Sequence, residues 1–196
     1  MWDHNTHFHD FLLRQLPRKI DRALDVGCGL GLFAWKLAKR AEIVDAIDVD
    51  RTVLKEALDR HNAANIYYKR ADFREIDLTE DSYDAIVSIA SLHHMDLEEA
   101  LKKMKLLLRP SGKLIILGLY RETSIFDYIY SLISIPLNLI YLNWYRRSTL
   151  TEKTVAPTRP AKLSFNQIKS VASTLIPGLK LQRHLFWRYS LIWQKP

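Results

Sequence analysis

The sequence predicts an α/β fold: a mostly parallel sheet with helices on both faces, closed by an antiparallel hairpin. Three observations predict it. Apolar runs of strand length alternate with stretches of helical spacing through residue 120. The first of these runs, Ala23–Val26, leads straight into Gly27, Gly29 and Gly31 and then into a helical pattern over Leu32–Ala41. At the far end, Lys180–Phe186 and Arg188–Gln194 read as two strands about a short turn at Trp187. The 196 residues suit a single domain with a sizeable core.

The glycine turn organises the rest. Glycine tolerates positive φ, and its missing Cβ lets a ligand reach the main chain. A following helix N-terminus adds free N–H groups. Gly29, Gly31 and Ala34 fit a dinucleotide-binding pattern, which would make the protein an NAD-dependent oxidoreductase. Asp25 argues the other way, because a carboxylate before the first glycine repels a pyrophosphate and suits a cationic ligand.

The remaining elements follow in order. Residues 4–16 carry Phe8, Phe11, Leu12, Leu13 and Leu16 at helical spacing, and Pro17 ends the run. Glu42–Val49 is a second strand with Asp48 at its C-terminal end, where open parallel sheets hold ligands. Asp50 is placed to cap a helix over 51–61. Asn65–Lys69 is a third strand, with Asp72-Phe73 beyond it. Ser82-Tyr-Asp-Ala-Ile-Val-Ser-Ile-Ala is a fourth, and Ser91-Leu-His-His-Met its exit. An amphipathic helix over Leu97–Leu108 precedes Arg109-Pro-Ser-Gly, where Pro110 stops the helix and Gly112 permits a turn into a fifth strand, Lys113–Tyr120. Ser164 caps a helix that runs to Leu175.

Leu24-Asp-Val-Gly-Cys-Gly-Leu-Gly31, taken with the landmarks that follow in order, resembles the class I S-adenosylmethionine-dependent methyltransferases of small molecules. The resemblance covers about residues 22–120; Leu30 departs from the Thr or Ser frequent there. It implies a Rossmann-like three-layer sandwich of seven strands, with S-adenosylmethionine as cofactor and S-adenosylhomocysteine as product. It implies Asp25 near the methionyl ammonium and close packing of the cofactor on Gly27, Cys28, Gly29 and Gly31. Asp48 would take the ribose hydroxyls and Val49 would flank the adenine. Asp72 would meet the adenine amino group, with Phe73 packed on the ring. The backbone of Ile89 and Ala90 would face the methionyl end. Leu92-His93-His94 resembles a signature of the small-molecule members, which makes His93 a candidate near the transferred methyl. A base helps when the acceptor is a hydroxyl, and His93, His94, His7 and His9 are the imidazoles at hand. Tyr120, Tyr128 and Tyr130 are candidates to orient an acceptor.

The variable segments should define that acceptor. Residues 1–19 form a helix expected over the site, where Trp2, His7 or His9 could line the pocket. Residues 121–161 are an insertion with the character of a lid, ending in a Pro-containing linker at Val155–Pro160, and 162–196 form the closing helix and hairpin. Tyr128–Tyr145 holds no charge and many aromatics, so the expected acceptor is a small apolar or aromatic molecule. Residues 125–147 could also touch a membrane surface; a full span would need about 20 apolar residues, and Pro136, Asn138 and Asn143 interrupt this stretch. Formal charge is +7, and residues 140–196 carry ten Lys/Arg against Glu152 alone. That asymmetry suits an anionic substrate, a membrane surface or nucleic acid; no RNA-binding appendage is recognisable, and a nucleic-acid-acting methyltransferase stands as an alternative reading. His4 and His7 lack the companion residues of a metal site. The single cysteine, Cys28, forbids an internal disulfide, and no signal peptide is visible, so cytoplasm is the expected location.

Overall fold

The computed structural model describes residues 4–146 and 160–196. Trp2 and nearly all of the Val155–Pro160 linker lie outside the described residues. Strands β1 (Ile20–Val26), β2 (Ala41–Asp48), β3 (Ile66–Arg70), β4 (Tyr83–Ile89), β5 (Leu108–Leu119), β6 (Lys180–His184) and β7 (Arg188–Gln194) form one sheet. Their order is β3-β2-β1-β4-β5-β7-β6. Neighbours run parallel except at β7, which is antiparallel to both β5 and β6. From β1 the chain moves first to one side and later to the other. A crevice therefore opens at the C-terminal ends of β1 and β4.

Helices α1 (His9–Gln15), α2 (Leu32–Leu37), α3 (Arg51–Arg60), α4 (Leu97–Leu107), α5 (Ile125–Arg146) and α6 (Phe165–Leu175) complete the fold. Alternate residues of a strand face opposite sides of the sheet, and β5 shows it. Leu114 and Ile116 join α4 and α6 through Leu101, Met104 and Ile168. Ile115 and Leu117 join α1, α2 and α3 through Leu12, Phe33 and Leu54. Both expected caps form: Asp50 accepts from the N–H groups of Thr52 and Val53, and Ser164 pairs with Gln167 in a capping box.

Three elements differ from expectation. Helix α2 stops at Leu37 because the chain turns at once to begin β2. Strand β5 starts at Leu108, five residues early. Leu108 pairs with Tyr83 and the register then jumps to Lys113 opposite Ala85, so Arg109–Gly112 bulges out of the ladder. Within that bulge Ser111, not Gly112, takes the positive φ of 66°; a Cβ on Gly112 would crowd the Arg109 carbonyl at 2.8 Å. The described part of the 121–161 insertion is one helix, α5. No described helix is long and apolar enough to cross a membrane.

Candidate active site

The glycine turn is pinned to the end of β2. The N–H groups of Gly27 and Cys28 both donate to the Ile47 carbonyl, at 2.8 and 3.0 Å. The glycines then part company in what they are for. At Gly27, φ is 72° and a Cβ would overlap Ser91. The Ser91 hydroxyl donates to the Val26 carbonyl at 2.7 Å and lies 2.6 Å from the Ser88 hydroxyl. The bare Cα of Gly27 therefore admits the β4 exit loop, where the sequence suggested a ligand. Gly31 starts α2 beneath the Tyr68 ring. Gly29 alone of the three is open: nothing lies within 4 Å of the place a Cβ would take. Cys28 is buried, and burial pushes its thiol far up.

Asp25 lies beneath this turn at 1% exposure. Burial, reinforced by the charge of Asp48, pushes its pKa up to about 7 against a hydrogen bond from the Ala34 N–H. Its Oδ2 is buried and has no hydrogen-bond partner. An isolated carboxylate oxygen of that kind calls for a positively charged donor. Asp48 is already engaged: Oδ2 accepts from the Gly29 N–H at 2.9 Å and Oδ1 from the Asp50 N–H at 3.0 Å. Each oxygen keeps a lone pair for a further donor such as a ribose hydroxyl. The same bonds oppose a pyrophosphate, because the Gly29 N–H it would need is occupied by a carboxylate.

Beyond Asp48, Val49 projects into solvent and lines a shallow pocket with Arg70, Ala71 and Asp72. Asp72 is gripped by the Arg74 guanidinium and its backbone N–H, which hold the carboxyl below its usual range. Any amino group would share it with Arg74. Phe73 departs from expectation. Its ring is in the α4 core with the Lys103 ammonium 5.2 Å from the ring centre, so it offers no face to a ligand. On the other side of the crevice Ile89 and Ala90 are half-buried. Ala90 sits at φ 51°, held by its N–H to the Leu117 carbonyl at 2.7 Å. A non-glycine residue in that conformation is a strained point at the mouth of the crevice.

His93 and His94 form a 3-10 turn with Leu92 directly after β4. His93 is half-buried, His94 exposed, and their ring centres are 4.0 Å apart. The other candidate imidazoles lie elsewhere. His9 is 4% exposed with its ring edge-on to Phe33, so it packs α1 onto α2. His7 sits edge-on to Phe186 and His4 stacks on the same ring, against the β6–β7 turn; burial, then His4, lower the pKa of His7. Tyr120 is buried edge-on to Phe165, and burial pushes its hydroxyl up to about 12. Tyr128 is exposed on α5 and Tyr130 half-buried.

Helix α5 sits over the β6–β7 turn with its polar side inward. Ser134 accepts from the Phe186 N–H at 2.9 Å. Trp187 Nε1 donates to Ser131 at 2.7 Å and to Glu122 at 3.1 Å, and Ser131 bonds Glu122. Burial would raise the Asp127 carboxyl, but the N–H groups of Thr123 and Ser124 and Arg183, 3.4 Å away, hold it below its usual range. Beside these polar groups Leu137, half-buried, packs against the core that holds Phe186. Sequence reasoning passed over Ser88 and Ser91, Tyr68, and this α5 docking set. Ser88-Ile-Ala-Ser91, two small hydroxyls bracketing a strand exit, was a usable signal for the first pair.

Comparisons with known proteins agree with this geometry. A family model described as a methyltransferase domain matches residues 24–116. An uncharacterised methyltransferase of Mycobacterium tuberculosis is 31% identical over 197 residues, covering 100% of this chain and 98% of that protein. The ubiquinone biosynthesis O-methyltransferase of Coxiella burnetii is 28% identical over 72% of this chain and 64% of its own length. Among solved structures, the N-methyltransferase NodS of Bradyrhizobium japonicum in complex with S-adenosyl-L-homocysteine superposes with a TM-score of 0.64 at 18% identity, covering 99% of this chain and 90% of that one.

Proposed function

The chain belongs to the methyltransferase family, and we propose that it takes its methyl group from S-adenosylmethionine and passes it to a small apolar or aromatic acceptor. The observation that carries the proposal is the buried, unpartnered Oδ2 of Asp25 beneath the open Gly29. When bound, the cofactor supplies an electrophilic methyl on a sulfonium. The chain's own residues bind and orient. Asp25 takes the ammonium, Asp48 accepts from the ribose hydroxyls with its remaining lone pairs, and Val49 gives the adenine an apolar edge. The half-buried backbone of Ile89 and Ala90 borders the methionyl end. Holding the reactants in near-attack alignment can contribute roughly 7–11 kcal/mol.

Direct displacement needs no covalent nucleophile on the protein. With a hydroxyl acceptor, an imidazole nitrogen of His93 receives its proton, and the adjacent His94 ring fixes the orientation of His93. The name of the Coxiella relative, an O-methyltransferase of ubiquinone biosynthesis, supports a hydroxyl on an apolar acceptor. A free, buried Cys28 fits a reducing cytoplasm.

Calorimetric titration with S-adenosylhomocysteine and with NAD tests the reading. Saturable binding of the first alone is expected, and binding of NAD alone overturns it. His93→Ala should lower kcat by about a hundredfold or more with cofactor affinity unchanged. Undiminished turnover would remove His93 from the mechanism.

A further inference from the structure

Helix α5 turns several polar side chains inward and many apolar ones outward. Its inward positions Asp127, Ser131 and Ser134 are bonded to the β6–β7 hairpin, with the half-buried Leu137 packed on the core beside them. Its outward positions, Ile125, Tyr128, Ile129, Leu132, Ile135 and Leu139, are large, apolar and exposed, Leu132 at 73%. They recur at spacings of three and four, so they form one stripe down the helix. Exposed apolar residues scattered singly are ordinary, whereas a continuous stripe marks a contact surface.

The charge distribution says what meets that stripe. Between Asp127 and Arg146 the sequence holds no ionisable acid or base except tyrosine, and the apolar stretch then closes on Arg146-Arg147. Residues 140–196 hold ten Lys/Arg against one acidic residue, and although Arg183 faces Asp127, Arg188 is buried and Lys195 pairs with Asp81, the balance stays positive. Two copies joined through this helix would bring two Arg146-Arg147 pairs and this excess of positive charge together. An anionic bilayer attracts the same charge that a second copy repels. The 22 residues of α5 extend about 33 Å at 1.5 Å per residue, and no described helix is long and apolar enough to cross a membrane.

We propose that α5 is an interfacial helix by which the enzyme docks on an anionic lipid surface. Its apolar stripe enters the headgroup boundary, and Arg146 at its C-terminal end engages the anionic lipids. The site described above is not needed for this, so the two readings fail separately.

Flotation of the full chain with phosphatidylcholine vesicles, and with vesicles containing one-third phosphatidylglycerol, tests the proposal. Binding should favour the anionic vesicles and fall in high salt. Leu132→Glu should weaken it about tenfold or more by removing a buried apolar side chain, and Arg146→Glu with Arg147→Glu roughly thirtyfold. S-adenosylhomocysteine affinity, measured on the same variants, should stay unchanged and reports that they are folded. Absence of binding to anionic vesicles overturns the proposal, as does binding that folded Leu132→Glu retains. Sedimentation showing a dimer that Leu132→Glu dissociates would assign the stripe to a second copy and also overturns it.

Discussion

The crevice at β1, β2 and β4 and the helix α5 solve opposite problems with similar side chains. In the crevice an acidic group is buried and left short of a partner: Asp25 Oδ2 has none, and its proton is held up to about 7. On α5 an acidic group is equally buried but has a countercharge: Asp127 Oδ2 receives two backbone N–H groups, and Oδ1, which has no hydrogen bond, faces the Arg183 guanidinium at 3.4 Å. The first arrangement costs stability and leaves an acceptor open to a positively charged donor. The second contributes stability and fixes which way a helix faces. Burial alone does not identify a functional carboxylate; the donors around it decide.

The contrast can be broken most sharply at the glycines. Gly27→Val drives a side chain into Ser91 at positive φ and should cost about 3 kcal/mol or more, read by urea denaturation. Gly29→Ala meets no neighbour but takes up a φ of 53°, so it should cost only the backbone strain, about 1–2 kcal/mol, while weakening S-adenosylhomocysteine binding. Equal stability losses at the two positions would erase the distinction drawn between them.

Next in size is the α5 carboxylate. Asp127→Ala leaves Arg183 and two N–H groups without their acceptor and should destabilise the fold by about 3 kcal/mol. Because its folded pKa is depressed, the contribution of Asp127 is present above the ordinary carboxylate range and is lost as pH falls through the folded value. The stability gap between native protein and variant should therefore close in acid.

Asp25 should behave in reverse. Between its ordinary 3.8 and about 7 the folded protein keeps a proton that the unfolded chain has lost. The stability cost accordingly grows as pH rises through that window and is full above it. A cation at Oδ2 displaces the proton. Affinity for S-adenosylhomocysteine should therefore climb about tenfold from pH 6 to pH 8, and the climb should vanish in Asp25→Asn. A pH-independent native affinity would show that the ammonium binds elsewhere. Smallest of all, Ser134→Ala removes one hydrogen bond to the hairpin turn and should cost about 1 kcal/mol.

Much of the crevice was legible because local chain order sets it. Asp25 and the three glycines are consecutive with the strand and helix they join, and Asp48 falls at a strand end that alternation alone locates. The caps at Asp50 and Ser164 depend on near neighbours and formed as expected. What stayed hidden depends on partners distant in sequence. Phe73 follows Asp72 directly, yet its direction is set by α4, thirty residues on. Ser91 and Tyr68 fill the space over two glycines that looked reserved for a ligand. A helical wheel shows that Ile125, Tyr128 and Leu132 share a side of α5. Which side turns inward was decided by Arg183 and Trp187, in a hairpin more than fifty residues later.

That hairpin turns through Phe186 and Trp187 in consecutive left-handed conformations, at φ 60° and 58°, a shape bulky residues adopt only when surroundings impose it. Part of the imposition comes from α5, through Ser131 and Ser134, part from Glu122 just before it, and part from the His4 and His7 rings against Phe186. Release of the helix would thus free the bend, and relaxation of the bend would cast off the helix. Amide protons of residues 181–192 and of 127–137 should exchange with solvent at one shared rate, as a single cooperative opening apart from the glycine-turn half of the sheet.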